Sequence, residues 1–153
     1  MPRHKPRYMH VLVVTAFGLT ASAAADSDTS TPALVVDISN VQTDEGKVGC
    51  SLYSKKDGFP SDPKKAKKSI FVTPRNGKAT CTFEGVAPGK YAVSVMHDEN
   101  EDGELETSMV GRPKEWWGVS NNVPPERFGP PKYEAATFDF SGKPKTIQVK
   151  LRL

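Results

Sequence analysis

A chain of 153 residues suffices for one compact domain and is too short for two of ordinary size. The formal charge of +3 rests on 21 basic and 18 acidic residues. Three of the basic ones (Arg3, Lys5, Arg7) and none of the acidic ones precede Asp26, which leaves 18 of each beyond it. A body so balanced is not a polycation, and no nucleic-acid partner is expected.

The first stretch carries those three cations, then the short apolar run Val11 to Leu19, then Ala23-Ala24-Ala25 before Asp26. That order predicts a secretory signal peptide over residues 1–25, with an apolar run too short to cross a bilayer. The protein is therefore expected to be exported, to the periplasm or the medium, with no stable membrane insertion after cleavage. Residues 26–33 are small and polar and are expected to form a flexible leader, followed by a single domain over 34–153.

Period-two patterns then recur. Leu34, Val36 and Ile38 alternate with Val35 and Asp37, and Val48, Cys50 and Leu52 with Gly49, Ser51 and Tyr53. Ile70 and Val72 mark a short strand. Ala79, Cys81 and Phe83 follow, then Tyr91, Val93 and Val95, then Phe138 and Phe140, then Ile147, Val149, Leu151 and Leu153. Turn signals separate them, Asn76-Gly77 being the sharpest, because its two residues tolerate the positive backbone angles of a tight hairpin. Seven short strands with one apolar face each predict an all-β fold, a seven-stranded antiparallel Greek-key β-sandwich with one long structured loop region. Cys50 and Cys81 fall on the apolar faces of their strands. An even pair in an exported chain is most simply a disulfide.

Two stretches break the alternation. Residues 55–68 carry six lysines around Pro60 and Pro63. A solvated loop is the expectation there, against an anion- or membrane-binding patch. Residues 98–136 lack strand periodicity for almost forty positions, a length uncommon in a compact domain unless the loop has a function.

One set of motifs runs through the domain in order. Gly85-Val86-Ala87-Pro88-Gly89-Lys90-Tyr91 is similar to the turn-and-strand of transthyretin-like and collagen-adhesin B-type sandwiches. His97-Asp98-Glu99-Asn100, Gly111-Arg112-Pro113-Lys114-Glu115, Gly118-Val119-Ser120-Asn121-Asn122 and Phe128-Gly129-Pro130-Pro131 follow it. The combination resembles the exported bacterial domain-of-unknown-function family 2141. The resemblance implies a small β-sandwich and no established activity. Asp102-Gly103 and Trp116-Trp117 stand where such families commonly carry Asn-Gly and Gly-aromatic.

Six of the nine residues from Asp98 to Glu106 are acidic. Asp98, Asn100, Asp102 and Gly103 match the opening of an Asp-x-Asn-x-Asp-Gly calcium loop, in which alternate oxygens face one centre and glycine permits the bend. The expected calcium ligands are Asp98, Asn100, Asp102, Glu104 (through its carbonyl) and Glu106. Met109 holds the twelfth position where such loops place a bidentate Glu, and no helices flank the stretch, so this is not an EF-hand. The alternatives are a loop neutralised by Arg112 and Lys114, and a plain solvated turn. His97 continues the face of Val93 and Val95 and is expected to hydrogen-bond beneath the loop.

Trp116 and Trp117 point to opposite faces if extended, one packed and one available to an unidentified protein or carbohydrate ligand. Asn121 is the third expected ligand-binding residue. Beyond the signal peptide only His97 remains of three histidines, so a multi-histidine zinc site cannot be built. No nucleophile motif accompanies it. A non-catalytic binding module is the expectation. The alternatives are a structural envelope module without a ligand and, behind it, a hydrolase using the acidic loop.

Overall fold

The computed structural model describes residues 32–153. The expected signal peptide (1–25) and residues 26–31 of the expected leader lie outside the described residues. The described chain is an all-β sandwich of two sheets.

Eight strands build it: β1 (Ala33–Ser39), β2 (Lys47–Tyr53), β3 (Lys68–Val72), β4 (Lys78–Glu84), β5 (Gly89–Asp98), β6 (Trp117–Val119), β7 (Phe138–Phe140) and β8 (Lys145–Lys150). One sheet is ordered β4-β1-β8. The other runs β3-β2-β5-β6, with β7 also on β5. β6 pairs with Ser94–Met96 and β7 with Gly89–Tyr91, so the two short strands share one edge of β5 end to end. Asn76 (φ 52°) and Gly77 (φ 72°) form the expected two-residue turn, closed by the Arg75–Lys78 pair, and carry the chain from one sheet to the other.

The period-two patterns put one side chain in two into the core. Leu34, Val36 and Ile38 from β1, and Ala79, Cys81 and Phe83 from β4, face Val48, Cys50 and Leu52 from β2 and Val93 and Val95 from β5. Each of the Val, Leu, Ile and Phe side chains among them contributes roughly 1.5–3 kcal/mol by leaving water. Cys50 and Cys81 are bonded and wholly buried, tying β2 of one sheet to β4 of the other.

Two details differ from the seven-stranded, wholly antiparallel expectation. The eighth strand is β6, whose three residues include Gly118 and are too short to display an alternation. In addition β1 and β8 pair in parallel, Leu34 opposite Lys145 through Ser39 opposite Lys150. Alternation reports which face is buried and not which way a strand runs. Only a short connection forces antiparallel pairing, and these two strands lie at opposite ends of the domain sequence.

A second layer covers the outer face of the larger sheet. Ala92, Trp117, Val119 and Ala136 form a buried cluster, with Phe59, Leu105, Val123 and Tyr133 packed against it. Leu105 belongs to the acidic segment, Phe59 to the lysine-rich one, and Ala136 ends the single helical turn α1 (Tyr133–Ala136). Both faces of β2 are consequently buried from Val48 to Tyr53.

Candidate functional site

The acidic segment leaves the sheet at the last pair of the β2–β5 ladder, Lys47 opposite Asp98. Gly46 makes the crossing possible. Its φ is 66°, and a Cβ there would stand 2.2 Å from the Asp98 carbonyl oxygen. Beneath the loop His97 is fully buried. Its Nε2 lies 2.8 Å from the Glu45 carbonyl, to which it donates, and its Nδ1 has no hydrogen-bond partner, with Glu99 Oε1 at 3.5 Å. The histidine thus braces the root of the loop as expected.

Asp98 is 1% exposed and organises the turn above it. Its Oδ1 accepts from the Asp102 amide (3.1 Å) and its Oδ2 from the Gly103 amide (2.8 Å). Asn100 Oδ1 also accepts from Asp102 N (3.2 Å), and Asp102 Oδ1 accepts from Glu104 N (2.8 Å). Asn100 Nδ2 donates to Asp102 Oδ2 (2.8 Å) and Glu106 Oε1 (3.3 Å). Glu101 (φ 58°) and Gly103 (φ 78°) supply the left-handed angles that this winding requires. Side-chain oxygens accepting nearby amides are what Asp and Asn do in tight turns. An ionised carboxylate oxygen that accepts one amide keeps a further lone pair for another partner.

The segment then folds back on itself. Thr107 pairs with Pro113 and Lys114 N donates to Glu106 O (2.8 Å), placing the exposed Met109 and Val110 at the tip. The return brings Glu115 under the acidic turn, where its Oε2 accepts from Glu106 N (3.1 Å). Partial burial, together with the negative charges of Asp98 and Asp102, raises the Glu115 carboxyl above its ordinary value. The amides of Glu106 and Glu99 oppose that shift.

Of the expected ligands, the structure brings Asp98, Asn100 and Asp102 together around the turn. Glu106 joins them only through the Asn100 amide, and its Oε2 lies 4.0 Å from Lys114 Nζ. Glu104 contributes its amide to the turn, and its side chain is exposed. Arg112 makes no ion pair among the described residues. No group of three or more His, Cys, Asp or Glu side chains among the described residues is arranged to hold a metal. Glu115 entered the sequence analysis only as the end of the motif Gly111-Arg112-Pro113-Lys114-Glu115 and not as a site residue. The signal that could have found it was Gly111, the bend from which a returning strand meets Glu106.

The tryptophans separate as their alternation requires. Trp117, 7% exposed, packs in the outer cluster, while Trp116 is half-buried against the main core. Gly118, which follows them, lets β6 approach the other sheet, since a Cβ there would meet Val149 Cγ1 at 2.8 Å. Beside Trp116 lies an open groove of about 480 Å³ bounded by Asn40, Lys150, Leu151, Arg152 and Leu153. A second hollow, between Ser51 and Tyr53 of the sheet and Leu105 and Trp117 above it, measures about 30 Å³. That is room for a water-sized occupant and not for a sugar ring. Asn121 (φ 61°) spends its amide on the Ala135 and Thr137 carbonyls (3.0 and 2.9 Å), fastening α1 to the sheet edge.

A family model described as "Uncharacterized protein conserved in bacteria (DUF2141)" matches residues 36–148. No curated protein and no solved structure matches the chain.

Proposed function

Since the chain belongs to the uncharacterised bacterial family DUF2141, we propose that it serves outside the cytoplasm as a non-catalytic β-sandwich module. In this reading its acidic excursion takes up calcium and, so stiffened, meets a protein or carbohydrate partner. The supporting observation is the position of Glu115, whose carboxyl accepts from Glu106 N below the acidic turn, where burial and the charges of Asp98 and Asp102 already disfavour its ionised form. A divalent cation bound there reverses that penalty. The donors are hard oxygens of the type calcium prefers, and Asn100 and main-chain carbonyls extend the set.

Because among the described residues no three acidic side chains are arranged to hold a metal, binding requires them to be drawn in. The affinity expected is that of weak extracellular sites, on the order of 10⁻⁴–10⁻³ M. The partner surface in this reading comprises the exposed Met109–Val110 tip and the groove beside Trp116. The export step rests on the predicted signal peptide, and the disulfide suits an oxidising compartment.

Calorimetric titration with calcium tests the proposal. Heat and a raised melting temperature at millimolar calcium are expected, both lost in Asp98→Ala and weakened in Glu115→Gln. No heat and no shift in the parent protein would remove the cation. The remaining reading would then be a structural envelope module. Leu105 favours it, since its packing in the outer cluster makes the excursion a cover for the sheet.

A further inference from the structure

The β2–β5 ladder fixes where the charged segments stand. Lys47 pairs with Asp98 at one end and Tyr53 with Ala92 at the other, so the lysine-rich segment and the acidic excursion emerge at opposite poles. Six residues of strand separate the poles by about 20 Å. Leu105 and Phe59 reach toward each other over the sheet, but among the described residues no ion pair joins the two segments.

The lysine pole has two adjoining parts. Lys55, Lys56, Lys64 and Lys67 are exposed on the first. Lys65 is tied to Asp57 (2.9 Å) and Asp62 accepts from the Lys64 amide, while among the described residues Lys55, Lys56, Lys64 and Lys67 make no ion pair. The second part is the turn closed by Glu126 and Gly129, which lifts Phe128 into solvent at 88% exposure. The Arg127 guanidinium lies 5.3 Å from that ring's centre. The parts stand side by side because Tyr133, just past the second, meets Phe59 of the first edge-on at 5.6 Å between centroids.

An exposed aromatic ring among cations that lack carboxylate partners fits an interface that is anionic outside and apolar within. The Met109–Val110 tip at the other pole is also apolar, but its neighbouring carboxylates would be repelled by such a surface. We propose that the lysine pole docks peripherally on bilayers rich in anionic phospholipid, with Phe128 set among the headgroups and Lys55, Lys56, Lys64, Lys67 and Arg127 on the phosphates. This mode needs no membrane-spanning segment, and among the described residues no helix is long and apolar enough to be one. It also stands apart from calcium binding, which belongs to the opposite pole.

Vesicle co-sedimentation of the full chain tests the proposal, using phosphatidylglycerol-containing and pure phosphatidylcholine vesicles without calcium. Binding to the anionic vesicles alone is expected, weakening as salt shortens the screening length. Phe128→Ser should lower the partition coefficient roughly ten-fold or more, the worth of one aromatic side chain. Serine at Lys55, Lys56, Lys64 and Lys67 should abolish binding, whereas Lys78→Ser with Lys114→Ser at the other pole should leave it unchanged. Circular dichroism and melting confirm that each variant is folded. Since all variants share residues 1–31, binding that ignores both the Phe128 and the lysine substitutions overturns the proposal. So do equal binding to neutral vesicles, absence of binding, and loss on lysine removal with no response at Phe128, which would mark a general anion-binding surface.

Discussion

Glu115 and Asp44 are carboxylates displaced in opposite directions, so their pH dependences have opposite signs. Burial, then the charges of Asp98 and Asp102, raises Glu115 above the ordinary 4.5 despite two opposing amides. Between 4.5 and the raised folded value the native state holds more proton than the unfolded chain, and stability falls as pH rises. The penalty is complete above that window and absent below it. Glu115→Gln is therefore expected to raise the melting temperature at pH 7 and to leave it unchanged below the window, as a thermal series against pH would show. With the carboxyl partly solvated, the gain should stay under about 1 kcal/mol. The same substitution weakens calcium in the proposed site, so one variant moves apo stability and cation affinity in opposite directions. Asp44 is the converse. The Asn76 and Gly77 amides hold its carboxyl below 3.8, and what it contributes is present above that value and lost as pH falls through the folded one.

Among the strands, β2 and β4 carry the bond that joins the sheets. The bridge closes a separation of 31 residues, and on the chain-entropy account this stabilises by roughly 3–4 kcal/mol. Replacing Cys50 and Cys81 together by alanine should lower the denaturant midpoint accordingly, measured by urea titration. The main core, the bridge and the Asn76–Gly77 turn were legible in the sequence because each follows from local pattern: face alternation, paired thiols on inward positions, and residues suited to left-handed angles. β6 was not, since three residues with a central glycine carry no period. The parallel partnership of β1 and β8 was not, since strand direction between distant segments is a property of the packed whole. In the acidic excursion the spacing of Asp98, Asn100 and Asp102 was read as a calcium-ligand set, with a plain solvated turn as an alternative, and the structure winds these three residues into a turn on their own amides. Glu115 is delivered by a fold-back whose register no periodic pattern announces, and it needed the structure. Asn121 was read as a ligand contact, and its amide nitrogen donates to two carbonyls.

The molecule as a body is a sandwich with an added layer and two differently charged ends. The outer cluster around Trp117 keeps both excursions pressed to one sheet, with Leu105 approaching from the acidic side and Phe59 from the basic side. Composition hid this polarity, because equal totals of acid and base are compatible with any distribution. The parallel contact of β1 with β8 has a mechanical corollary. Both strands run the same way, so tension between Ala33 and Leu153 slides one past the other and loads six register pairs at once. A hairpin opened from its free end would yield them singly. Single-molecule extension from these two points should thus give one high rupture force, well above that for tension that unzips the antiparallel pair β2–β3 from Val48 and Val72. The length released at rupture should exclude the span from Cys50 to Cys81 until a reductant frees it. A tethered copy would accordingly bear tension through β1 and β8 while the lower-load loops at its ends kept their shape.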